Sequence, residues 1–120
     1  MNIGVFASGR GSNFQAILSA IEQGILPARV TVLLSNKGDA GAFEIANAYS
    51  IPTVHLSQRQ FADEALYAAA MLEVLGNHNV ELIALAGYLK KIPTIVVREF
   101  RHRILNIHPA LLPSFGGQGM

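Results

Sequence analysis

Asn2-Ile3-Gly4-Val5-Phe6-Ala7-Ser8-Gly9-Arg10-Gly11-Ser12-Asn13-Phe14 opens the chain with an apolar run, a glycine-rich loop and the first apolar residue of a helical stripe. Residues 2–7 read as a buried strand. Phe14, Ile17, Leu18 and Ile21 then recur at helical spacing, with Ser12 placed to cap the helix and Gly24 and Pro27 marking its end. Working outward, the same alternation repeats. Residues 30–34 read as a second strand, 41–49 as a helix after the Asn36-Lys37-Gly38-Asp39 turn, and 53–56 as a third strand opened by Pro52. Phe61, Ala65, Ala69, Leu72 and Leu75 mark the buried stripe of a longer helix closed by Gly76-Asn77. Residues 82–86 form the most hydrophobic strand, Pro93 opens a short helix, and residues 104–107 make a fifth strand.

Strands that alternate with helices are joined by right-handed crossovers into a parallel sheet. The expected class is therefore α/β, a doubly wound, mostly parallel sheet, with ligands beyond the carboxyl ends of the strands. Composition agrees: 51% of the 120 residues are hydrophobic and 14% charged, as expected when both sheet faces are covered. The length fits one domain over residues 1–120. Residues 116–120, Gly-Gly-Gln-Gly-Met, have the composition of a flexible tail, and their position directly after the most chemically loaded segment points to a chain truncated at its C-terminal side.

Several classes are excluded or disfavoured. A net charge of +1 with scattered Lys and Arg gives no broad footprint for nucleic acid. With no cysteine, disulfides, thiolate nucleophiles and Cys-ligated zinc are ruled out, and no histidine pair has metal-ligand spacing, so no metal is expected. His55, His78 and His102 read as surface or loop residues. No apolar run reaches membrane-spanning length and the start lacks a secretory pattern, which gives a cytoplasmic reading with no membrane association.

Three segments carry the candidate chemistry. Ser8-Gly9-Arg10-Gly11-Ser12-Asn13 lets the backbone approach an anion at a helix start, where a phosphate fits. It is not a Walker loop, and Phe14 stands where a dinucleotide fingerprint wants its third glycine; a tight turn with no ligand is the plainer alternative. Asn106-Ile107-His108-Pro109 forms the second segment. In extended backbone, held there by Pro109, Asn106 and His108 face one side and Ile107 the other. A carboxamide donor beside an imidazole suits transfer at a carbonyl: the amide steadies the oxyanion and the imidazole moves protons, without a nucleophile or a metal. A structural role for a lone histidine at a strand end is the alternative. Thirdly, Tyr88, Leu89, Lys90, Lys91 and Ile92 follow Gly87 as a cluster able to line a slot for a flat ring, unless they are corner packing.

Together, residues 3–16, residues 85–92 and Leu105-Asn106-Ile107-His108-Pro109-Ala110-Leu111-Leu112-Pro113 resemble the folate-dependent formyltransferases, and within them the phosphoribosylglycinamide (glycinamide ribonucleotide) formyltransferase family. The resemblance implies a Rossmann-like formyltransferase fold and transfer of a formyl group from 10-formyltetrahydrofolate, the co-substrate, to glycinamide ribonucleotide in purine biosynthesis. It implies that Gly11, Ser12 and Asn13 hold the ribonucleotide phosphate and that Pro109 shapes the approach of the glycinamide. It implies further that Tyr88, Leu89, Lys90, Lys91, Ile92 and Asn106 bind folate, and that Asn106 and His108 act on the formyl group. Two departures accompany it. Glu64 stands where many relatives carry a basic residue near the folate tail. The catalytic aspartate of the family falls beyond residue 120, so the expectation is that these 120 residues bind the ribonucleotide but turn over poorly or not at all.

Within the superfamily, methionyl-tRNA formyltransferase needs basic surface and a further domain, and formyltetrahydrofolate deformylase carries a regulatory domain before its catalytic one; neither is visible here. A catalytically silent phosphate or nucleotide-binding module is the reading from another class, and a marginally folded fragment with an exposed sheet edge is a third. The expected partners are small-molecule substrates, with a homodimer left open and no nucleic acid or membrane.

Overall fold

The apolar run at the N-terminus becomes the central strand of a five-stranded sheet. A computed structural model describes residues 1–107, and among them β1 (Asn2–Phe6) lies between β2 (Arg29–Ser35) and β4 (Leu82–Leu85). β3 (Thr53–His55) lies outside β2 and β5 (Ile104–Asn106) outside β4, and every pairing is parallel. The fold is the doubly wound α/β sheet that the strand-helix alternation predicted.

Successive residues of β1 serve opposite faces, which is why the strand is apolar throughout. Ile3, Val5 and Ala7 pack with Phe14, Ile17 and Leu18 of α1 (Ser12–Glu22) and with Ala42 and Ala46 of α2 (Ala42–Ala48). Phe6, on the other face, joins Tyr67, Ala68, Met71 and Leu75 of α3 (Glu64–Asn77) and Val96 of α4 (Thr94–Glu99). Each fully buried Phe, Leu or Ile adds about 1.5–3 kcal/mol to these two cores. On the α1 side, the β4–β5 end of the sheet is less well covered. There Leu82, Leu105 and Ile107, with Met1, Leu26 and Pro27, line an apolar cavity of about 440 Å³.

Two local expectations are corrected. The buried stripe of α3 is Tyr67, Ala68, Met71 and Leu75, whereas Ala65 and Ala69 are exposed and Phe61 precedes the helix. Asp63 is the reason: its side chain accepts a hydrogen bond from the Leu66 N–H at 2.9 Å, so the helix starts after Phe61 and turns a different face inward. Ser12 does not cap α1. Gly11, at φ 96°, holds the N-cap position with no side-chain hydrogen bond, and Ser12 is the first helical residue. Further on, Ile3 pairs with Val30 but Gly4 with Val32, leaving Thr31 as an extra residue whose buried hydroxyl has no hydrogen-bond partner among the described residues.

The strand order runs from β1 outward to β3, then returns to β4 on the other side of β1. The crevice between the carboxyl ends of β1 and β4 is thus the topological switch point, where ligands of such sheets bind.

Candidate active site

The glycine loop after β1 turns sharply into α1 because two backbones meet there. A Cβ on Gly11 would come within 2.8 Å of the Ala42 Cα, and one on Gly41 within 2.9 Å of the Arg10 carbonyl oxygen. The loop therefore packs directly on the start of α2, and only glycine satisfies both the positive φ and the contact at position 11. With no capping side chain, the first N–H groups of α1 stay available to a ligand and carry the positive end of the helix dipole. Gly9, Arg10, Gly11, Ser12 and Asn13 line a cavity of about 150 Å³, closed on the far side by Ala86 and Gly87 beyond β4. The chain leaves β4 through Gly87 at φ 73°, where the nearest atom to an added Cβ would be the Asn13 Nδ2 at 3.5 Å.

Ser8 ties this corner together. It is fully buried; its hydroxyl donates to the Asn36 Oδ1 at 2.6 Å and accepts from the Leu89 N–H at 2.9 Å, while its own N–H reaches the Gly87 carbonyl at 3.3 Å. One small side chain thus holds the exits of β1, β2 and β4 in register. In the sequence Ser8 stands out only as part of the glycine loop. Its signal was a hydroxyl at the end of a buried strand, which must find partners.

Asn106 sits at the carboxyl end of β5 and pairs with Leu85, which in turn pairs with Phe6. The three Cα atoms form a row across the strand ends, and two strand spacings put Asn106 roughly 10 Å from Phe6. Its side chain is exposed, while Ile107 packs on the α1 side of the sheet and donates its N–H to the Leu85 carbonyl at 2.9 Å. The alternation expected of this segment holds for Asn106 and Ile107. The candidates His108 and Pro109, and the tail 116–120, lie outside the described residues.

The segment after Gly87 divides. Tyr88 turns inward, its ring edge-on to Phe6 at 5.3 Å and its hydroxyl 3.2 Å from that of Tyr67. Burial first, and the Tyr67 hydroxyl second, push the Tyr88 hydroxyl far above the ordinary phenol range, so it stays protonated. Leu89 is 79% exposed, Lys90 and Lys91 are exposed, and Ile92 packs partly against the α3 side of the core. Lys90 and Lys91 border a cavity of about 460 Å³ that also takes in Asn36, Gln58, Arg59 and Tyr67. Lys91 and Ile92 border a smaller one of about 120 Å³ with Glu64 and Pro93. Tyr88 and Leu89 line neither.

Of the other histidines, the His55 Nε2 lies 3.3 Å from the Asn36 carbonyl, the His78 Nδ1 lies 2.8 Å from the Val74 carbonyl, and His102 is exposed. Among the described residues no group of three His, Asp or Glu side chains is placed to hold a metal ion. No helix among them is long and apolar enough to cross a membrane.

Over residues 1–120 the chain matches the formyl transferase family model. It is 42% identical over 119 residues to the chloroplastic phosphoribosylglycinamide formyltransferase of Arabidopsis thaliana, covering 98% of this chain and 41% of that protein. Its identity to the phosphoribosylglycinamide formyltransferase of Bacillus subtilis is 40% over 113 residues, covering 94% of this chain and 58% of the relative. Among solved structures, glycinamide ribonucleotide transformylase 1 from Symbiobacterium toebii superposes with a TM-score of 0.84 at 38% identity, over 98% of this chain and 56% of that one. The chain thus spans about half the length of the proteins it matches.

Proposed function

The chain belongs to the formyl transferase family, and from that premise we propose that it serves formyl transfer from 10-formyltetrahydrofolate to the amine of glycinamide ribonucleotide in purine biosynthesis. The carrying observation is that the uncapped start of α1 after β1 and the exposed Asn106 of β5 stand at carboxyl strand ends with only β4 between them, around the switch point. The ribonucleotide phosphate sits on the N–H groups of Gly11, Ser12 and Asn13, in a cavity of the right scale for it. The glycinamide amine then attacks the formyl carbon, and the carbonyl oxygen becomes an oxyanion that accepts a hydrogen bond from the Asn106 amide. A single donor of this kind is worth roughly 10²–10³ in rate. His108 takes the proton from the attacking amine and returns it to the departing folate nitrogen.

Pro109 bounds the glycinamide, and folate lies along residues 88–92. In this reading Tyr88 supports the slot from below, packed on Phe6 and Tyr67, rather than contacting the ring. The cytoplasmic reading rests on sequence alone.

Calorimetric titration with glycinamide ribonucleotide and with folic acid tests the proposal. Both are expected to bind without displacing each other. Binding of the ribonucleotide alone would favour the silent phosphate-binding module, and binding of neither would remove the proposal.

A further inference from the structure

The Ser8 hydroxyl has one proton to give, and its surroundings decide where that proton goes. The group is fully buried, and the Leu89 N–H can only donate, so the Ser8 oxygen accepts there and its proton goes to the Asn36 Oδ1, 2.6 Å away. The same count orients the Asn36 carboxamide, oxygen toward Ser8 and nitrogen away from it. In such a chain each bond strengthens the next, because an oxygen that donates its proton becomes the better acceptor.

Asn36 is itself held from outside. It follows Ser35, the last residue of β2, whose buried hydroxyl accepts the Lys37 N–H at 3.1 Å and closes the turn. The His55 Nε2 lies 3.3 Å from the Asn36 carbonyl, and since a carbonyl only accepts, the imidazole donates. The His55 ring also packs on Gly38, where an added Cβ would stand 3.3 Å from it. The contacts thus run from β3 through the exits of β2 and β1 to residues 87–89. There Ser8 takes hold twice, with its N–H on the Gly87 carbonyl at 3.3 Å and its oxygen on the Leu89 N–H at 2.9 Å. Gly87 lines the phosphate cavity, and Leu89 belongs to the stretch along which folate lies in the reading above. One hydrogen-bonded pair therefore stands behind both substrate positions.

Resting on the formyl-folate reading, we infer that Asn36 is a positioning residue: by engaging the Ser8 hydroxyl it fixes residues 87–89, and with them the place of folate relative to the ribonucleotide. Joining an amine to a formyl carbon tolerates little error, since a misplacement of about 1 Å costs on the order of 10²-fold in rate. Asn36 acts on that distance through Ser8 and meets neither reacting atom.

The test pairs Asn36→Leu, which keeps the size and removes the acceptor, with Asn36→Asp, which keeps the acceptor. Should Asn36→Leu not fold, Asn36→Ala takes its place. Folic acid is titrated by calorimetry into each protein at a temperature where circular dichroism shows all of them folded. Asn36→Leu should bind it about three- to tenfold more weakly than the parent, and Asn36→Asp should recover most of the loss. Adding Ser8→Ala to Asn36→Leu should cost less than Ser8→Ala costs in the parent, because the two act as one unit. Amide exchange at Leu89 should quicken in Asn36→Leu and not in Asn36→Asp. A merely structural role would lower the melting temperature and leave the folded-state affinity and the Leu89 exchange as they are. That result, additive losses, or an Asn36→Asp as weak as Asn36→Leu overturns the inference. If the parent binds ribonucleotide and folic acid but Asn36→Leu binds folic acid equally well, the inference fails and the formyl-transfer reading stands. If the parent ignores folic acid while Leu89 exchange follows the Asn36 series, the pair does hold residues 87–89 and the formyl-transfer reading fails.

Discussion

Gly11 and Ala42 are in backbone contact: a methyl group added at Gly11 would stand 2.8 Å from the Ala42 Cα and 2.9 Å from the Ile45 Cδ1. The loop that offers its N–H groups to an anion is thus shaped by a helix that never touches the ligand. Gly11→Ala combines a left-handed backbone with overpacking, and should cost about 2–4 kcal/mol in urea unfolding. Ribonucleotide binding should weaken in parallel. A variant as stable as the parent would show that the contact is soft and the loop less constrained than described.

Ser8→Ala leaves the Asn36 carboxamide oxygen without its donor and the Leu89 N–H without its acceptor, both partly buried. The expected loss is about 1–3 kcal/mol by chemical denaturation. Amide exchange should also speed up at Leu89, since that N–H loses its bond. Unchanged protection there would mean that the three strand exits are held by something else.

Thr31→Val should stabilise the protein. The hydroxyl is buried at the irregularity between β1 and β2 without a partner among the described residues, and the replacement keeps the β-branched shape. About 1–2 kcal/mol of gain in a thermal or urea melt is expected. A loss would mean that the hydroxyl is satisfied in solution.

The Tyr88 hydroxyl gives a pH signature. Its pKa is raised in the folded state by burial and by Tyr67, so the folded protein keeps a proton that the unfolded chain loses near pH 10. The linked stability is complete below about pH 10 and falls as pH rises above it toward the folded-state pKa. In Tyr88→Phe this part of the alkaline decline should vanish, as measured by urea unfolding between pH 8 and 11. An identical decline in both proteins would contradict the buried placement.

Much of the fold was legible because both sheet faces are covered, so strands such as β4 stand out as unbroken apolar runs. The α3 stripe was misread for the converse reason: Glu64–Asn77 is so rich in Ala and Leu that several stripes fit, and the Asp63 cap, not periodicity, sets the rotation. The glycine loop was visible as a motif, but its cap at Gly11 instead of Ser12 depends on contact with Ala42, thirty-one positions away.

Formyl transfer at this site requires the glycine loop and the end of β5 to serve one ligand. Amide chemical-shift mapping during titration with glycinamide ribonucleotide tests this directly. The largest changes are expected at Gly9, Gly11, Ser12, Asn13 and Gly87, with a smaller response of the Asn106 side-chain amide and little change at Arg59. Changes centred on Arg59 and Lys90, or a silent loop at residues 9–13, would contradict it.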